Sequence, residues 1–596
     1  MRKRKLSLLL VALLLISLTL VSCSGSDSGE DKDNDVATPT GGESVEEKVY
    51  RFSDTYDVTT LNPHNSVDSL VADIAIFTDS MLYRKVPNED GTAAIIIPDL
   101  AAKEPYLVDD DGYVWRIELR EDAKWQNGDP INADTFIYSF KMLLDPNLVN
   151  SLASMLYDYY IDIENAYEYY AQNQEGNEPV DWEDVGIKKV DDYTIDITTI
   201  ERYTAEQVML HFMLRSNYPV YEPFYEAGMN DSRTSTTYGT DLDNYMGSGP
   251  YIFESWVPDA SRVYVKNEEH WLADYFNFDR IEVRITPDRN SRVQMFENGE
   301  IDTMGLDSLT LEKYRDDPRT KQNLSLSCQH IDINSLKSDN PILQTLNFRK
   351  ALFYAIDREV TAEIEGALPS AYYINHQAGA YPEKGITYRE TPEAQAIVPE
   401  NNGYDPELAR EYFEAALEEV GETFVSVELM CSESNEGGKA VGEYLQQALP
   451  KIFGEDKFEL TMRFVPSSNY SAMKDFKEDP DSFELAYGGW EASLSRIYPY
   501  EAFRYFVSDY EYRPNSYVTE RFDKQFEACK SEEVRLNPEL MVEMTAELEK
   551  IYLEDVINIP LHQYYSYTIV SDRIKLPCAE YIPGFGYGFM FADIVE

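Results

Sequence analysis

The stretch LAYGGWEAS, residues 485–493, places two glycines directly before a tryptophan and a glutamate directly after it. Glycine adds no side chain to packing, so it lets another backbone or a ligand come close. The indole of Trp490 and the carboxylate of Glu491 could then hold a bound molecule by stacking or by charge. A strand end with a buried tryptophan is the structural alternative, and this stretch alone does not decide between the two.

No other pattern in the sequence indicates catalysis or a metal centre. The histidines are scattered, without the HExxH spacing of a zinc site. The stretch SNEGGKAV, residues 434–441, resembles a phosphate-binding loop only in part, because Glu433 stands where the first glycine belongs and Ala440 follows the lysine. There is no GxSxG motif, and among 108 acidic residues some carboxylates lie close by chance. We therefore expect a protein that is not an enzyme and that needs no cofactor or metal.

The composition is that of a large, strongly acidic globular protein. Its 596 residues allow two or three domains, and 43% of them are hydrophobic. The formal charge of −56 argues against a nucleic-acid partner, which requires basic patches. The charge either keeps the surface solvated or favours cationic ligands. The 45 tyrosines either cover strands or serve recognition surfaces.

Cysteine is too sparse for a disulfide scaffold. The cysteines are Cys23, Cys328, Cys431, Cys529 and Cys578. No CxxC pair occurs, so a zinc ribbon does not fit either. The sequence leaves the pairing state of the last four open.

The N-terminal sequence predicts that the protein is located outside the cytoplasm. Four basic residues precede an apolar run over residues 6–21, which is typical of a secretory signal and short for a membrane-spanning helix. The run ends in LVSC, residues 20–23, which resembles a bacterial lipobox whose cysteine, Cys23, carries the lipid. We expect residues 1–22 to be a signal peptide, residues 23–48 a disordered polar tether, and the protein to be lipid-anchored at the outer face of the cytoplasmic membrane.

Strands and helices alternate in the body of the chain. Period-two patterns predict strands at YVWRIELR (113–120), YTIDI (193–197) and IEVRI (281–285). In NADTFIYSFKMLL, a helix is predicted with Asn132 as cap and a buried stripe of Phe136, Ser139, Phe140 and Leu143. In YDPELAREYFEAALEEV, Asp405 is the expected cap and the expected buried face holds Leu408, Tyr412 and Ala415. FRKALFYAIDREV is expected to form one helix that buries Phe348, Leu352, Ile356 and Val360.

Several short motifs together resemble one family. In chain order they are LNPH (61–64), WRIELREDAKWQNGDPINADTFIYSFKMLLDP (115–146), GSGPYIFESW (247–256), KNEEHW (266–271), NGEID (298–302), NFRKALFYAIDRE (347–359), YDPELA (404–409) and GGW (488–490). Each motif alone is weak evidence for a family, but their occurrence in this order after a lipobox is specific evidence. The chain resembles the family 5 extracellular solute-binding proteins of oligopeptide and dipeptide ABC transporters, from about residue 50 to the C-terminus.

This resemblance implies an α/β fold with two lobes joined by a hinge, the periplasmic-binding-protein-like fold of cluster C, with an extra subdomain on the first lobe. The first lobe would comprise residues 49–92, 218–327 and 564–596. The extra subdomain would be residues 93–217, and the second lobe residues 328–563. The chain would cross between the lobes near LSLSCQH (324–330) and IPLHQYY (559–565).

The resemblance also implies a ligand site between the lobes. The candidate ligand-binding residues are Asp79, Tyr470, Tyr487, Gly489, Trp490, Glu491, Ser493 and His562. A helix-face core position is the alternative for Tyr470, and a satisfied core or surface role is the alternative for His562. In peptide-binding relatives an aspartate three residues after the GW holds the α-ammonium of the peptide, but here that position is Ser493. Either the ligand has no free amine to hold, or Glu491 or another acid takes the role, or the loop is aligned wrongly.

The function implied is capture of a peptide and its delivery to the permease of an ABC importer, by a protein expected to be monomeric. A non-peptide solute such as an oligosaccharide, nickel or heme is the alternative ligand. A secreted hydrolase and an adhesin are alternatives of other classes.

Overall fold

The computed structural model describes residues 47–595 except 67, 159, 338, 382–384, 475–478, 492–497, 511–516 and 518. The predicted signal peptide, Cys23, Ser493 and most of the predicted tether therefore lie outside the described residues. The side chains of Trp490 and Glu491 also lie outside them, although their backbone is described. Residues from Glu47 onward form one compact unit.

The strands of this unit are numbered in chain order. They are β1 (Val49–Asp54), β2 (Tyr83–Pro87), β3 (Ala94–Pro98), β4 (Tyr106–Leu107), β5 (Val114–Glu118), β6 (Ile187–Asp191), β7 (Thr194–Thr198), β8 (Tyr251–Val257), β9 (Ser261–Lys266), β10 (Arg280–Ile285), β11 (Thr303–Leu306), β12 (Thr320–Ile333), β13 (Leu368–Pro369), β14 (Gly379–Tyr381), β15 (Ile386–Thr387), β16 (Val425–Ser432), β17 (Phe458–Val465), β18 (Leu485–Glu491), β19 (Ile559–Val570), β20 (Ile574–Lys575) and β21 (Asp593–Ile594).

The α-helices are numbered in the same way. They are α1 (Ser69–Thr78), α2 (Ala133–Leu143), α3 (Ala166–Ala171), α4 (Ala205–His211), α5 (Glu222–Ala227), α6 (Arg289–Glu297), α7 (Ser308–Tyr314), α8 (Leu346–Ala355), α9 (Arg358–Glu365), α10 (Pro392–Ala396), α11 (Pro406–Val420), α12 (Glu436–Phe453), α13 (Ser467–Met473), α14 (Glu520–Cys529), α15 (Glu532–Arg535) and α16 (Pro538–Glu554).

Three sheets organise these elements. One has the order β1-β10-β9-β8, and a smaller one has the order β4-β5-β7-β6. The largest has the order β11-β19-β12-β18-β16-β17, with β13 also paired to β19. In this sheet β16 runs parallel to both β17 and β18, whereas β12 runs antiparallel to its two neighbours. Separate hydrophobic clusters lie beside the sheets, so the molecule is α/β with several cores.

The two longest strands, β12 and β19, pair with each other and form what we call the hinge ribbon. Their register runs from Thr320 opposite Ile569 to Ile331 opposite Ile559. It shifts between Leu324 and Cys328, where residues 325–327 of β12 oppose a single residue of β19, and again between Gln329 and His330. Such a bulge bends a strand and interrupts its ladder. The whole segment between the two strands, residues 334–558, is connected covalently to the rest of the chain only through this ribbon.

Several local predictions are confirmed. Trp115 and Ile117 in β5, like Ile195 and Ile197 in β7, are buried on one face of the small sheet. Asn132 caps α2 by accepting a hydrogen bond from the Thr135 amide. The predicted stripe of α2 is buried in full: Phe136, Ser139, Phe140 and Leu143.

Two helix predictions are wrong in detail. The single helix expected over FRKALFYAIDREV is two helices, because Ile356 is extended and Asp357 caps the start of α9 by accepting from the Glu359 amide. In α11 the cap at Asp405 is confirmed, but the buried face is shifted by one position. Its centre is Ala409, Phe413, Ala416 and Leu417, while the expected Leu408, Tyr412 and Ala415 lie half-buried on its flank.

The four cysteines of the body are free and buried: Cys328, Cys431, Cys529 and Cys578. Burial raises the pKa of the Cys328, Cys431 and Cys529 thiols to about 12. Within the part of the chain that the structure describes, no helix combines the length and the apolar character needed to cross a membrane.

Candidate functional site

The GGW stretch lies in β18, which is paired fully on one edge only. Against β12, β18 pairs over its whole length, from Leu485 opposite Ile333 to Glu491 opposite Ser327. Against β16 it pairs only at Leu485 and Ala486. No other strand of the described residues lies along the second edge from Tyr487 onward. The Tyr487 carbonyl there accepts a hydrogen bond from the Tyr470 hydroxyl, and the edge beyond it can accept an added strand.

Both glycines of β18 provide space for neighbouring side chains. Neither has a positive φ, so neither is required by backbone conformation. A Cβ at Gly488 would lie 2.9 Å from both the Asp332 carboxylate and the Lys474 ammonium. A Cβ at Gly489 would collide with the side chain of Gln329 on β12. The paired glycines therefore let side chains from β12 and from the end of α13 close over the strand.

On the Gly488 face, a buried ion pair lies against β18. The Lys474 ammonium donates to the Asp332 carboxylate, and the His330 imidazole lies 3.1 Å from the other carboxylate oxygen. Burial by itself raises the pKa of Asp332, but the charges and hydrogen bonds of Lys474 and His330 together outweigh it, and the pKa is lowered to about 2. Asp332 is therefore ionised at neutral pH and already neutralised by a lysine.

On the opposite face, Tyr487 joins a second polar group. Its hydroxyl donates to the Glu365 carboxylate at 2.8 Å and lies 3.4 Å from Nε2 of His562. Burial lowers the pKa of His562 to about 3, so this imidazole is neutral at pH 7. Burial raises the pKa of Glu365, while hydrogen bonds from Tyr487 and Tyr564 lower it. No lysine or arginine of the described residues forms an ion pair with Glu365.

This region lies where an α/β sheet usually binds its ligand. The parallel strands β16, β17 and β18 end here, and α12 and α13 begin directly after β16 and β17. Ligands of open α/β sheets bind outside the carboxyl ends of the strands. The hydroxyls of three serines meet at the same place: Ser467 lies 2.7 Å from Ser432 and 2.6 Å from Ser434.

The predicted site residues divide into three groups. Tyr470, Tyr487, Gly489 and His562 come together on or beside β18, although Tyr487 and His562 are also buried members of the core. The backbone of Trp490 and Glu491 continues the same strand, opposite Cys328 and Ser327. Ser493 lies outside the described residues, so its part in the site stays a prediction.

Asp79 lies elsewhere, at the C-terminal end of α1. Its carboxylate is buried and accepts hydrogen bonds from the Tyr245 hydroxyl at 2.6 Å and the Thr78 hydroxyl at 3.0 Å. The Asp79 carbonyl accepts from Arg84 at 3.0 Å. These contacts join the end of α1 to Tyr245, which precedes β8, and to Arg84 in β2, and none of them reaches β18.

The sequence did not single out Asp332, Lys474, Glu365 or Tyr564. One signal for Asp332 was present, because QHIDI (329–333) alternates polar residues with Ile331 and Ile333 in a strand with no exposed face. A polar residue in such a strand needs a partner. Glu365 is the last residue of α9 and Lys474 directly follows α13, and no local sequence pattern connects either residue to β18.

Comparison with known proteins identifies the family of this fold. A family model for bacterial extracellular solute-binding proteins, family 5, middle part, matches residues 96–508. The chain is 27% identical over 264 residues to the dipeptide-binding protein DppE of Bacillus subtilis strain 168, a match that covers 44% of each protein. It is 28% identical over 330 residues to the oligopeptide-binding protein OppA of the same organism, covering 52% of each. The chain thus spans about half the length of these two curated relatives.

Solved structures show the same fold over nearly the whole chain. Listeria monocytogenes OppA bound to peptide is similar with a TM-score of 0.63 at 23% identity, covering 92% of this chain and 100% of that one. The substrate-binding domain of an oligopeptide ABC transporter from Bacillus anthracis strain Ames gives a TM-score of 0.65 at 21% identity, covering 93% and 99%. The expected two-lobed α/β fold is therefore confirmed.

The buried Asp79 makes the stability of the protein depend on pH. Burial raises its pKa to about 7, against the hydrogen bonds from Tyr245 and Thr78 that lower it. The folded state thus binds this proton more tightly than the unfolded chain, whose carboxyl has the ordinary value of 3.8. Between about pH 4 and pH 7, the free energy of unfolding should fall by about 1.4 kcal/mol per pH unit on account of this group.

We therefore expect Asp79→Asn, which carries no charge, to gain in melting temperature relative to the unmodified protein as the pH rises from 4 to 7, and to gain no more above about pH 8. Thermal unfolding followed by circular dichroism across this range measures the difference. A constant difference between pH 4 and pH 8 would show that Asp79 titrates in its ordinary range.

Proposed function

The chain belongs to the bacterial extracellular solute-binding proteins of family 5, and we propose that it captures a peptide between two lobes and delivers it to an ABC importer. Two of its relatives are a dipeptide-binding and an oligopeptide-binding protein, which supports a peptide as the ligand. We further propose that it is a monomeric binding protein without catalytic activity. A non-peptide solute bound in the same way is the alternative.

One observation carries this proposal. No strand among the described residues pairs with the second edge of β18 from Gly488 onward, at the carboxyl ends of β16 and β17. An extended peptide can add itself to such an edge, so that main-chain hydrogen bonds give affinity and side-chain pockets give selectivity. Gly489 has no side chain to hinder this approach. We propose that Trp490, Glu491 and Ser493 line the same subsite, with Tyr470, Tyr487, His562 and Asp79 as the remaining candidates.

The proposed lobes are joined by the hinge ribbon. The first lobe would hold residues 49–92, 218–327 and 564–596 with the extra subdomain 93–217, and the second would hold residues 328–563. The proposed boundaries coincide with the bulge of β12 between Leu324 and Cys328. A bulged two-stranded connection bends more readily than a regular sheet, as closure around a ligand requires.

Peptide capture can be tested directly with ligand-free protein. The protein is prepared by unfolding and refolding and is then mixed with an equimolar pool of synthetic tri-, tetra- and pentapeptides. Native mass spectrometry should show one peptide per protein, released intact on denaturation, and the bound form should melt at a higher temperature. Cleaved peptides would instead indicate a hydrolase. Absence of any bound peptide, together with a non-peptide mass in protein purified directly from cells, would favour the alternative ligand.

The same assay tests whether a free amine is needed. Of the acids near β18, Asp332 is already neutralised by Lys474, and position 493 carries a serine. We therefore expect an N-acetylated peptide to bind about as tightly as its free-amine form, and Ser493→Asp to favour the free amine. An ammonium–carboxylate bond contributes about 1.5–3 kcal/mol, which isothermal titration calorimetry resolves. Loss of binding on acetylation would assign the amine to another acid, such as Glu365.

We propose that Cys23 carries the lipid that holds the protein at the outer face of the cytoplasmic membrane. A diacylglyceryl group supplies two chains, which anchor a protein stably where one chain does not. Cys23→Ala should therefore move the protein from the membrane fraction to the soluble extracytoplasmic fraction with an unchanged melting temperature. A variant that stays on membranes washed at alkaline pH would show that Cys23 is not the anchor.

A further inference from the structure

Two regions far apart in the sequence contact each other away from the hinge ribbon. We call residues 106–217, which hold the small sheet, the small-sheet region, and residues 498–555, which hold α14, α15 and α16, the helical region. The helical region lies within residues 334–558, so the ribbon is its only covalent route to the small-sheet region. Any contact between these regions therefore depends on the bend of the ribbon.

Arg535 is the centre of this contact. It ends α15 in the helical region, it is 6% exposed, and its Nε donates to the Lys530 carbonyl of the same region at 3.0 Å. Its other donors cross to the small-sheet region, where Nη2 lies 2.8 Å from the Glu201 carboxylate and Nη1 donates to the Arg202 carbonyl at 3.3 Å.

Further contacts surround that guanidinium. It lies 5.1 Å from the centre of the Tyr203 ring, within the range of a cation–π interaction. The Arg535 carbonyl accepts a hydrogen bond from the Gln207 side chain at 3.1 Å. Arg535 thus contacts the small-sheet region by charge, ring and backbone at once.

A second ion pair and an apolar contact extend the interface. Arg504 of the helical region donates to both carboxylate oxygens of Asp158, at 2.9 and 2.7 Å. Tyr160 of the small-sheet region is buried in a hydrophobic cluster whose other buried members belong to the helical region and its neighbours. Leu210 and Leu214 pack against the same cluster. In both of these ion pairs the helical region supplies the cation and the small-sheet region the anion.

The burial of Arg535 makes this interface conditional. A guanidinium removed from water is stable only while its donors are bonded. The carboxylate and one of the carbonyls that satisfy Arg535 belong to the other region, so separation must expose the side chain and replace these bonds with water. The side chain is therefore either docked as a whole or solvated as a whole.

We infer that Arg535 is a positioning residue for ligand capture: it latches the small-sheet region to the helical region and thereby stabilises the closed arrangement of the lobes even without ligand. This inference rests on the proposed function, because it assigns the latch to the closure that traps the peptide. The latch lies apart from β18 and touches no candidate ligand residue. Loss of the latch should therefore lower the affinity for every ligand by the same factor, which is the factor by which the closed population falls. The preference between ligands should stay unchanged.

The first test uses ligand-free protein, so it does not depend on which ligand binds. Arg535→Ala should raise the radius of gyration measured by small-angle X-ray scattering. It should also speed amide exchange at residues 158–163 and 201–207. Arg535→Lys, which keeps the charge but not the planar fork, should recover part of the change. Arg521→Ala is the matched control, because it removes an arginine that pairs with Glu554 and Asp555 inside the helical region.

Substitutions on the other side of the interface guard against misfolding of the arginine variant. Asp158 and Glu201 have side chains 58% and 44% exposed, so Asp158→Asn and Glu201→Gln should fold normally and still loosen the latch. An unchanged radius of gyration and unchanged exchange in both Arg535→Ala and Glu201→Gln would overturn the inference. An equal change in the Arg521→Ala control would also overturn the inference.

The affinity test uses two peptides of different sequence that bind in the peptide-pool assay, each measured by calorimetry and by dissociation rate. Arg535→Ala should weaken both by the same factor, of about tenfold, mainly through faster dissociation. Unequal factors would place Arg535 in the ligand site and overturn the latch. If no peptide binds at all, the proposed function fails, while the scattering and exchange results still decide the latch.

Discussion

The antiparallel pairing of β12 with β19 is the constraint on which the arrangement of this protein depends. These two strands are the only covalent passage into and out of residues 334–558, and they also form the middle of the largest sheet. Backbone hydrogen bonds hold them together, so the passage is one ribbon rather than two independent linkers. The ribbon is irregular at two nearby places, after Leu324 and after Gln329. Relative motion of the two halves of the molecule is thereby directed to a bend in this short stretch.

The strand beside the ribbon, β18, takes its properties from that pairing. One edge is fixed to β12, whereas the other loses β16 after Ala486. The glycines then allow Lys474 and Asp332 to close over one face and Gln329 to lie over the other. The Asp332 charge on the first face is neutralised by Lys474, while Glu365 on the second face is bonded by tyrosine hydroxyls and, among the described residues, by no lysine or arginine. The strand edge thus lies between a paired carboxylate and a carboxyl group held by hydroxyls.

The sequence predicts the local structure well where one pattern acts alone. The alternation around Trp115 and Ile117 and the cap at Asn132 lead directly to β5 and α2. It fails where two signals compete, as at Asp357, whose capping side chain interrupts an apolar stripe that continues through Ile356. At the site, GGW, Tyr487 and His562 could be found because a family motif contains or adjoins them. Lys474 and Glu365 could not, because their contacts, with Asp332 and with Tyr487 respectively, join segments more than 100 residues apart in the sequence.

The burial of the cysteines affects how the protein reacts to an oxidising environment outside the cytoplasm. A thiol whose pKa is about 12 exists as the reactive thiolate in about one molecule in 100,000 at pH 7. Cys328, Cys431 and Cys529 lie in separate packed surroundings and do not pair with one another. The folded protein therefore holds these three thiols in a form that an oxidising environment attacks only slowly.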